Sequence, residues 1–239
     1  MRAALLFLLS LLAPALAEAN TLSRTTENAL LHILAHELGH AIIREFDLPI
    51  LGNEEIMADQ FATLMIAETL PDRAEEIVLD RAWFWMQRSD VSSAFGEHPS
   101  FERRAGMAMC TLYGLAPESR ADMARRAGMP GQDAAACRDR VPEMARSGRR
   151  ILAPLRMPAT ARVTEVDVIL GEGPWKGAKE RSEILPLARR MLEMFDWHSL
   201  ITLHIDHCDR GAVWERNGRR ILLCDNVIDR LEDMRRPQP

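Results

Sequence analysis

Leu34-Ala35-His36-Glu37-Leu38-Gly39-His40 is the stretch around which the chain is organised. It lies within the strongly apolar run Ala29 to Arg44, preceded by Ser23, Thr25 and Thr26, any of which can cap a helix. The run predicts a buried helix. Side chains four apart on a helix share a face, about 5–6 Å apart at Cβ, so His36 and His40 can meet at one tetrahedral metal ion. Glu37, one position on, leans over the open side of such an ion, where a carboxylate can take a proton from an attacking water. Taken alone, the pentapeptide also fits two core histidines beside a solvated glutamate, and a third ligand is needed to decide.

That ligand is not His32. It precedes His36 by four residues, but eight residues of helix rise about 12 Å, so His32 and His40 cannot share an ion. His32 reads instead as a packed histidine or a support for the ligands. Phe46 stands six positions beyond His40, where a metzincin carries histidine, so the third ligand comes from another element.

The next segment supplies it. Asp47 to Asn53 reads as a connecting turn, Asn53 as a helix cap, and Glu54 and Glu55 as acids at the positive end of a helix that stops before Pro71. Glu55 and Asp59 are four apart and face the same way, and acids on a largely apolar helix need a cation or donors as partners. The assignment that follows is Glu55 as third metal ligand and Asp59 as acceptor of a ligating histidine's free ring N–H.

Three stretches carry a family resemblance: His36-Glu37-Leu38-Gly39-His40, then Leu48-Pro49-Ile50-Leu51-Gly52, then Glu55-Ile56-Met57-Ala58-Asp59-Gln60-Phe61-Ala62. Together they resemble the bacterial metallopeptidase family DUF4344. More distantly they are similar to gluzincins of the prenyl-protein and heat-shock membrane peptidase type, whose second helix carries Glu-x-x-Ala-Asp. The resemblance implies one Zn²⁺ ion held by His36, His40 and Glu55, Glu37 as catalytic base, and a peptide or protein substrate. It spans roughly residues 26 to 155. His98-Pro99, with arginine six residues after the histidine, also resembles these peptidases, which implies His98 and Arg104 as stabilisers of the tetrahedral oxyanion. Read without the resemblance, they are a helix cap and a surface arginine.

Around this centre, Pro71 to Arg88 predicts a third helix, with Trp83, Phe84 and Trp85 in the core. His98 and Pro99 are expected to start a fourth helix that runs to Tyr113 and stops at Gly114. Two Arg-rich helical patterns follow, separated by Gly128-Met129-Pro130-Gly131, with solvated faces. Beyond a boundary at Pro154 to Thr160, Arg162 to Leu170 and Leu200 to Ile205 read as strands and Glu180 to Phe195 as one amphipathic helix. Ala212 to Leu223 reads as a hairpin closed by the two-residue turn Asn217-Gly218. This tail resembles a segment that in the family commonly precedes the His-Glu-x-x-His helix. A permuted arrangement is therefore expected, with the hairpin returning beside the zinc helices and offering its edge to an extended peptide. His204 and His207 read as isolated strand histidines rather than a second metal site.

Composition bounds the rest. The chain has 239 residues, 27% of them charged, and a net charge of −5, which argues against a nucleic-acid partner. Met1-Arg2, the apolar run from Ala3 to Ala13 and the small residues Ala15 to Ala19 have the pattern of a secretory signal, residues 1–19, and no later run is long enough to span a bilayer. Export to a periplasmic or extracellular compartment agrees with four cysteines, an even number. They permit three pairings, of which Cys110–Cys137 and Cys208–Cys224 join the cysteines nearest in sequence.

The expected fold is α+β: a mainly helical zincin-like core over residues 20–155, and an α+β region with a hairpin over 156–239, packed on the core. Two other readings use the same residues. One is a zinc-stabilised envelope or binding protein without turnover; the other is a zinc amidase acting on a cell-wall amide. Oligomeric state is not legible.

Overall fold

The first helix, α1 (Arg24–Glu45), begins where Ser23 accepts the Thr26 N–H in its side chain, and is buried along most of its length. The computed structural model describes residues 21–88, 96–158 and 166–236, so the predicted signal segment lies outside the described residues, as do parts of the expected boundary and first strand. Helix α2 (Glu54–Thr69) is capped by Asn53, which accepts the Ile56 N–H. The two helices touch at Gly39, where a Cβ would stand 2.9 Å from Ala58 Cα. The glycine between the two histidines thus lets α2 approach closely enough to bring Glu55 to the His36–His40 face.

Helix α3 (Ala74–Met86) packs on α1, and α4 (Phe101–Leu115) packs on both α2 and α3. Phe84 and Trp85 are core residues as expected, whereas Trp83 is 41% exposed. Two expectations for α4 need correction. Its cap is Ser100, which accepts the Arg103 N–H, rather than His98 followed by Pro99. A serine oxygen can take an orphan N–H at the first turn, so the helix starts there. Gly114 does not stop α4; a Cβ there would stand 2.6 Å from the Cys137 carbonyl oxygen. It is where the helix that carries Cys137 crosses. The short α5 (Ala121–Arg126) leads to α6 (Gly131–Leu152), tied to α4 by the Cys110–Cys137 disulfide.

The remainder forms a four-stranded sheet with three helices. Strand β1 (Val166–Leu170) is followed by α7 (Lys176–Arg181) and α8 (Ile184–Leu192), then β2 (Ile201–Asp206), β3 (Ala212–Glu215), β4 (Arg220–Cys224) and α9 (Asp225–Arg235). The spatial order is β1-β2-β4-β3, with β1, β2 and β4 parallel and β3 antiparallel at the edge. Cys208–Cys224 joins the loop after β2 to the end of β4, so both disulfides pair the cysteines nearest in sequence.

The single helix expected over Glu180 to Phe195 is two. Ser182 is extended at ψ 162°, and Pro186 explains it, because a proline ring in a continuous helix clashes with the carbonyl four residues back. The hairpin also departs from expectation. Glu215 pairs with Arg220, leaving a four-residue loop with Arg219 left-handed at φ 44°. A two-residue Asn217-Gly218 turn would set Arg216 opposite Arg219. That same register already sets Glu215 opposite Arg220, and the pairing ends at this ion pair instead of continuing to the two arginines; opposite charges across strands stabilise where like charges do not.

The fold is α+β and mainly helical. Its hydrophobic cluster runs without a break from α1 to α9, and α1 touches α2, α3, α8, α9 and both hairpin strands. The metal-motif helix is thereby the central element. Among the described residues no helix is long and apolar enough to cross a membrane.

Candidate metal centre

Helix periodicity puts His36 and His40 on one face of α1, and the first turn of α2 meets them. The two Nε2 atoms are 3.1 Å apart. Glu55 places Oε2 3.4 Å from His36 Nε2 and Oε1 3.3 Å from His40 Nε2. Among the described residues this is the group of side chains that can converge on one ion, with one ligand atom from each lying within 4.8 Å of the others. Two ligands at typical zinc–nitrogen distances on a tetrahedron stand about 3.3 Å apart, so the donor set fits an ion of that size.

The other nitrogen of each ring is held. Asp59 Oδ1 is 2.8 Å from His36 Nδ1, the contact expected from the spacing of Glu55 and Asp59. Glu54 Oε1 is 2.9 Å from His40 Nδ1 and also accepts from Arg44 Nε at 3.0 Å. With Nδ1–H bound to a carboxylate, each imidazole turns its Nε2 lone pair toward the convergence point, which fixes tautomer and orientation. Sequence reasoning used Glu54 only as a favourable charge at the helix start. Its position one residue before Glu55 was the available signal.

Charge is distributed to suit a cation. Burial alone would lower the His36 pKa, but hydrogen bonds to Asp59 and Glu55 outweigh it and raise it from 6.5 to about 9. His40 is raised in the same way by Glu55 and Glu54. Burial would raise Glu55 and Asp59. Hydrogen bonds to His36 and His40 instead hold Glu55 far below the usual carboxylate range, and those to Arg104 and His36 do the same for Asp59.

The chelator-treated protein therefore has a signed pH dependence. A folded-state pKa above the ordinary 6.5 contributes stability that is fully present below 6.5 and lost as pH rises through about 9. Thermal unfolding should show the melting temperature falling over that window. Zinc should reverse the trend, because ligation requires neutral imidazoles and tightens as pH rises. A melting temperature without metal that is flat from pH 6 to 9 would contradict this arrangement.

Arg104 and His98 occupy different positions. Arg104 is 7% exposed and donates to both oxygens of Asp59, from Nε at 2.7 Å and Nη2 at 2.8 Å. Its Nη2 is 3.7 Å from Glu55. His98 has a side chain 65% exposed, with Nε2 3.4 Å from Glu55 Oε1. Both line a cleft of about 1030 Å³ that runs past His36, Glu37 and His40.

Glu37 is 7% exposed and faces this cleft. Its Oε2 accepts the backbone N–H of Trp214 at 2.8 Å. The hairpin thus returns beside α1, with β3 at the edge of the sheet, and Ala212, Val213 and Trp214 line the same cleft as the histidines. No local signal reveals this bond, which joins residues 177 apart in sequence. His32 is fully buried and edge-on to Trp85, with ring centroids 5.3 Å apart; burial, the largest influence, pushes its pKa down to about 3. It is a neutral core residue. His204 and His207 lie beside Asp206 and Asp225 respectively, and neither joins a metal-binding group among the described residues.

The model of DUF4344, a family described as "Putative metallopeptidase", matches residues 12–152, more than half of the chain. The chain belongs to this family. No curated protein and no solved structure matches it. The DUF4344 match takes in His36, Glu37, His40, Glu55, Asp59, His98 and Arg104, and stops at the end of α6. The sheet, with the edge strand that holds Glu37, lies beyond the matched residues. Membership in DUF4344 and the His36, His40 and Glu55 group both point to a metal ion.

Proposed function

We propose that the protein is an exported zinc-dependent peptidase in which Glu37 is the general base. The observation that carries the reading is the convergence of the His36, His40 and Glu55 donors beside a carboxylate that faces the same cleft but is not one of them. When bound, a zinc ion supplies Lewis acidity to the scissile carbonyl and the attacking water.

The chain's own groups do the remainder. Glu37 takes the proton of the water and delivers it to the leaving amine nitrogen. The Trp214 N–H holds one of its oxygens, which leaves the other for the proton. The edge of β3 takes an extended peptide as an added strand, so the scissile amide lies along the α1 face. Of the two candidate oxyanion stabilisers, His98 stands on the cleft wall and takes that role. Arg104, bound through two N–H groups to Asp59, acts as a positioning residue that fixes the carboxylate holding His36.

Export is supported by the two disulfides and by the signal-like pattern of residues 1–19. The intact Glu37 favours a peptidase over a silent zinc-stabilised envelope protein. An amidase acting on a cell-wall amide shares the chemistry and differs in substrate.

Metal analysis of the purified chain, together with cleavage of an unfolded protein before and after chelation, tests the proposal. About one zinc per chain, with cleavage lost on chelation and restored by zinc, is the expected result. Zinc without cleavage of any protein would favour the binding protein. Removal of the Asp59 carboxylate in Asp59→Ala is expected to weaken zinc by about 10–100-fold, read by competition with a chelator. Unchanged affinity would show that the His36–Asp59 bond does not orient the ligand.

A further inference from the structure

The metal-site cleft has a second feature that peptide hydrolysis does not use. Arg81 lines it from α3, on the stripe where Ile77 and Trp85 pack against α1. Its guanidinium carbon sits 4.2 Å over the Trp85 ring centroid, which fixes the side chain. Its Nε is buried and has no hydrogen-bond partner among the described residues.

The two arginines that touch the carboxylates of the metal site each have an acid, Arg104 with Asp59 and Arg44 with Glu54. No carboxylate of a described residue lies within salt-bridge distance of Arg81. Burial first, and then the neighbouring positive charge of Arg104, push its pKa down to about 9. Arg81 is half-buried with its Nε enclosed, and a cation held there without a counterion is costly, a cost that truncation or an arriving anion relieves. The same cleft carries Arg230 from α9, which has no carboxylate partner among the described residues and gives its Nε to the Asn226 carbonyl. Apolar Ile33, Phe84 and Leu231 complete the lining there. A cation on an aromatic ring with apolar neighbours strengthens any charge-assisted bond it makes, and a guanidinium fork matches a carboxylate in two bonds.

We propose that Arg81 anchors a carboxylate-binding subsite in the cleft, so that the favoured peptide carries an ionised carboxylate near the bond to be cut. The carboxylate is either the C-terminal group of a short peptide or the side chain of an aspartate or glutamate. This assignment rests on the peptidase reading, since it is that reading which makes a peptide the occupant of the cleft.

The test measures binding rather than turnover. Three N-acetylated tripeptides are titrated calorimetrically into the zinc-loaded Glu37→Gln chain. One has a free C-terminal acid and apolar side chains, one is amidated with a glutamate side chain, and one is amidated and carries no carboxylate. At least one carboxylate-bearing peptide is expected to bind about 10-fold or more tighter than the carboxylate-free one, as a bidentate charged contact allows. Which of the two does so identifies the source. Adding Arg81→Gln should abolish the preference while leaving the carboxylate-free peptide bound as before, which also reports that the cleft is intact. Arg81→Lys should keep part of the preference.

Equal affinity for all three peptides, including no measurable binding of any, overturns the subsite. A preference that survives Arg81→Gln overturns it too, as does an equal loss for all three peptides, which would mark Arg81 as a packing residue. Hydrolysis by the wild-type chain decides the peptidase reading separately. Cleavage without the preference removes only the subsite, whereas the preference without cleavage removes only the peptidase.

Discussion

Glu37→Gln is expected to lower peptide hydrolysis by about 10²–10⁴-fold, the range general-base removal produces, while leaving zinc in place. The separation of the two effects follows from the geometry. Glu37 is not among the donors that converge, so its replacement removes no ligand. Glutamine keeps an oxygen that can accept the Trp214 N–H, so the side chain can stay where it is; it loses only basicity. Glu55→Ala should behave differently. It removes the third donor and the carboxylate that lies 3.4 Å from His36 and 3.3 Å from His40, so metal content and hydrolysis should fall together. Metal analysis and kcat/KM for both variants give four numbers, and the pattern matters more than any one of them. Retained hydrolysis in Glu37→Gln would rule out the base, and undiminished tight zinc in Glu55→Ala would rule out the third ligand.

How much of this was legible in the sequence depends on the range of the interaction concerned. The two helices of the metal site could be read because each is specified locally. Ser23 and Asn53 cap them, and the four-residue spacings of His36 with His40 and Glu55 with Asp59 fix which side chains share a face. The His36–Asp59 contact followed from those spacings once the helices were assumed to meet. What allows them to meet, Gly39 against Ala58, is also in the motif, but its steric meaning appears only when both helices are placed. Arg104 is a harder case. Its spacing from His98 was legible, but its two bonds to Asp59 depend on α4 packing beside α2, which no local pattern specifies. The α7–α8 break had a signal in Pro186, overridden by the amphipathic pattern around it. The parallel pairing of β1, β2 and β4 had none, because parallel strands are joined by long crossovers and their neighbours are set by packing.

Within the region beyond the family match, a buried ion pair joins α7 to α9, and breaking it is expected to cost about 3–5 kcal/mol. Lys179 Nζ of α7 donates to Asp225 Oδ1 at 2.7 Å, and the two side chains are 2% and 1% exposed. Asp225 opens α9, where a negative charge also meets the positive end of the helix. A second tie runs beside it, from Trp175 Nε1 to Asp229 Oδ1 at 2.8 Å. Asp225→Ala leaves the Lys179 ammonium in the interior with no acid to neutralise it, so the penalty arises from the lysine that remains rather than from the aspartate removed. The double change Lys179→Met with Asp225→Leu takes both charges away and should recover most of the loss, since apolar replacement of a buried pair is often neutral. Urea unfolding at pH 7, with both disulfides intact, compares the wild type with the two variants. The consequence reaches the cleft beside His36 and His40 because α9 contributes Val227, Arg230 and Leu231 to it and follows directly from β4, the partner of the strand that holds Glu37. In Asp225→Ala, hydrolysis should therefore fail at a lower temperature than in the wild type, while zinc stays on α1 and α2 at temperatures where the cleft wall has already loosened. A loss below about 1 kcal/mol for Asp225→Ala, or no recovery in the double variant, would show that the pair is not what secures this wall.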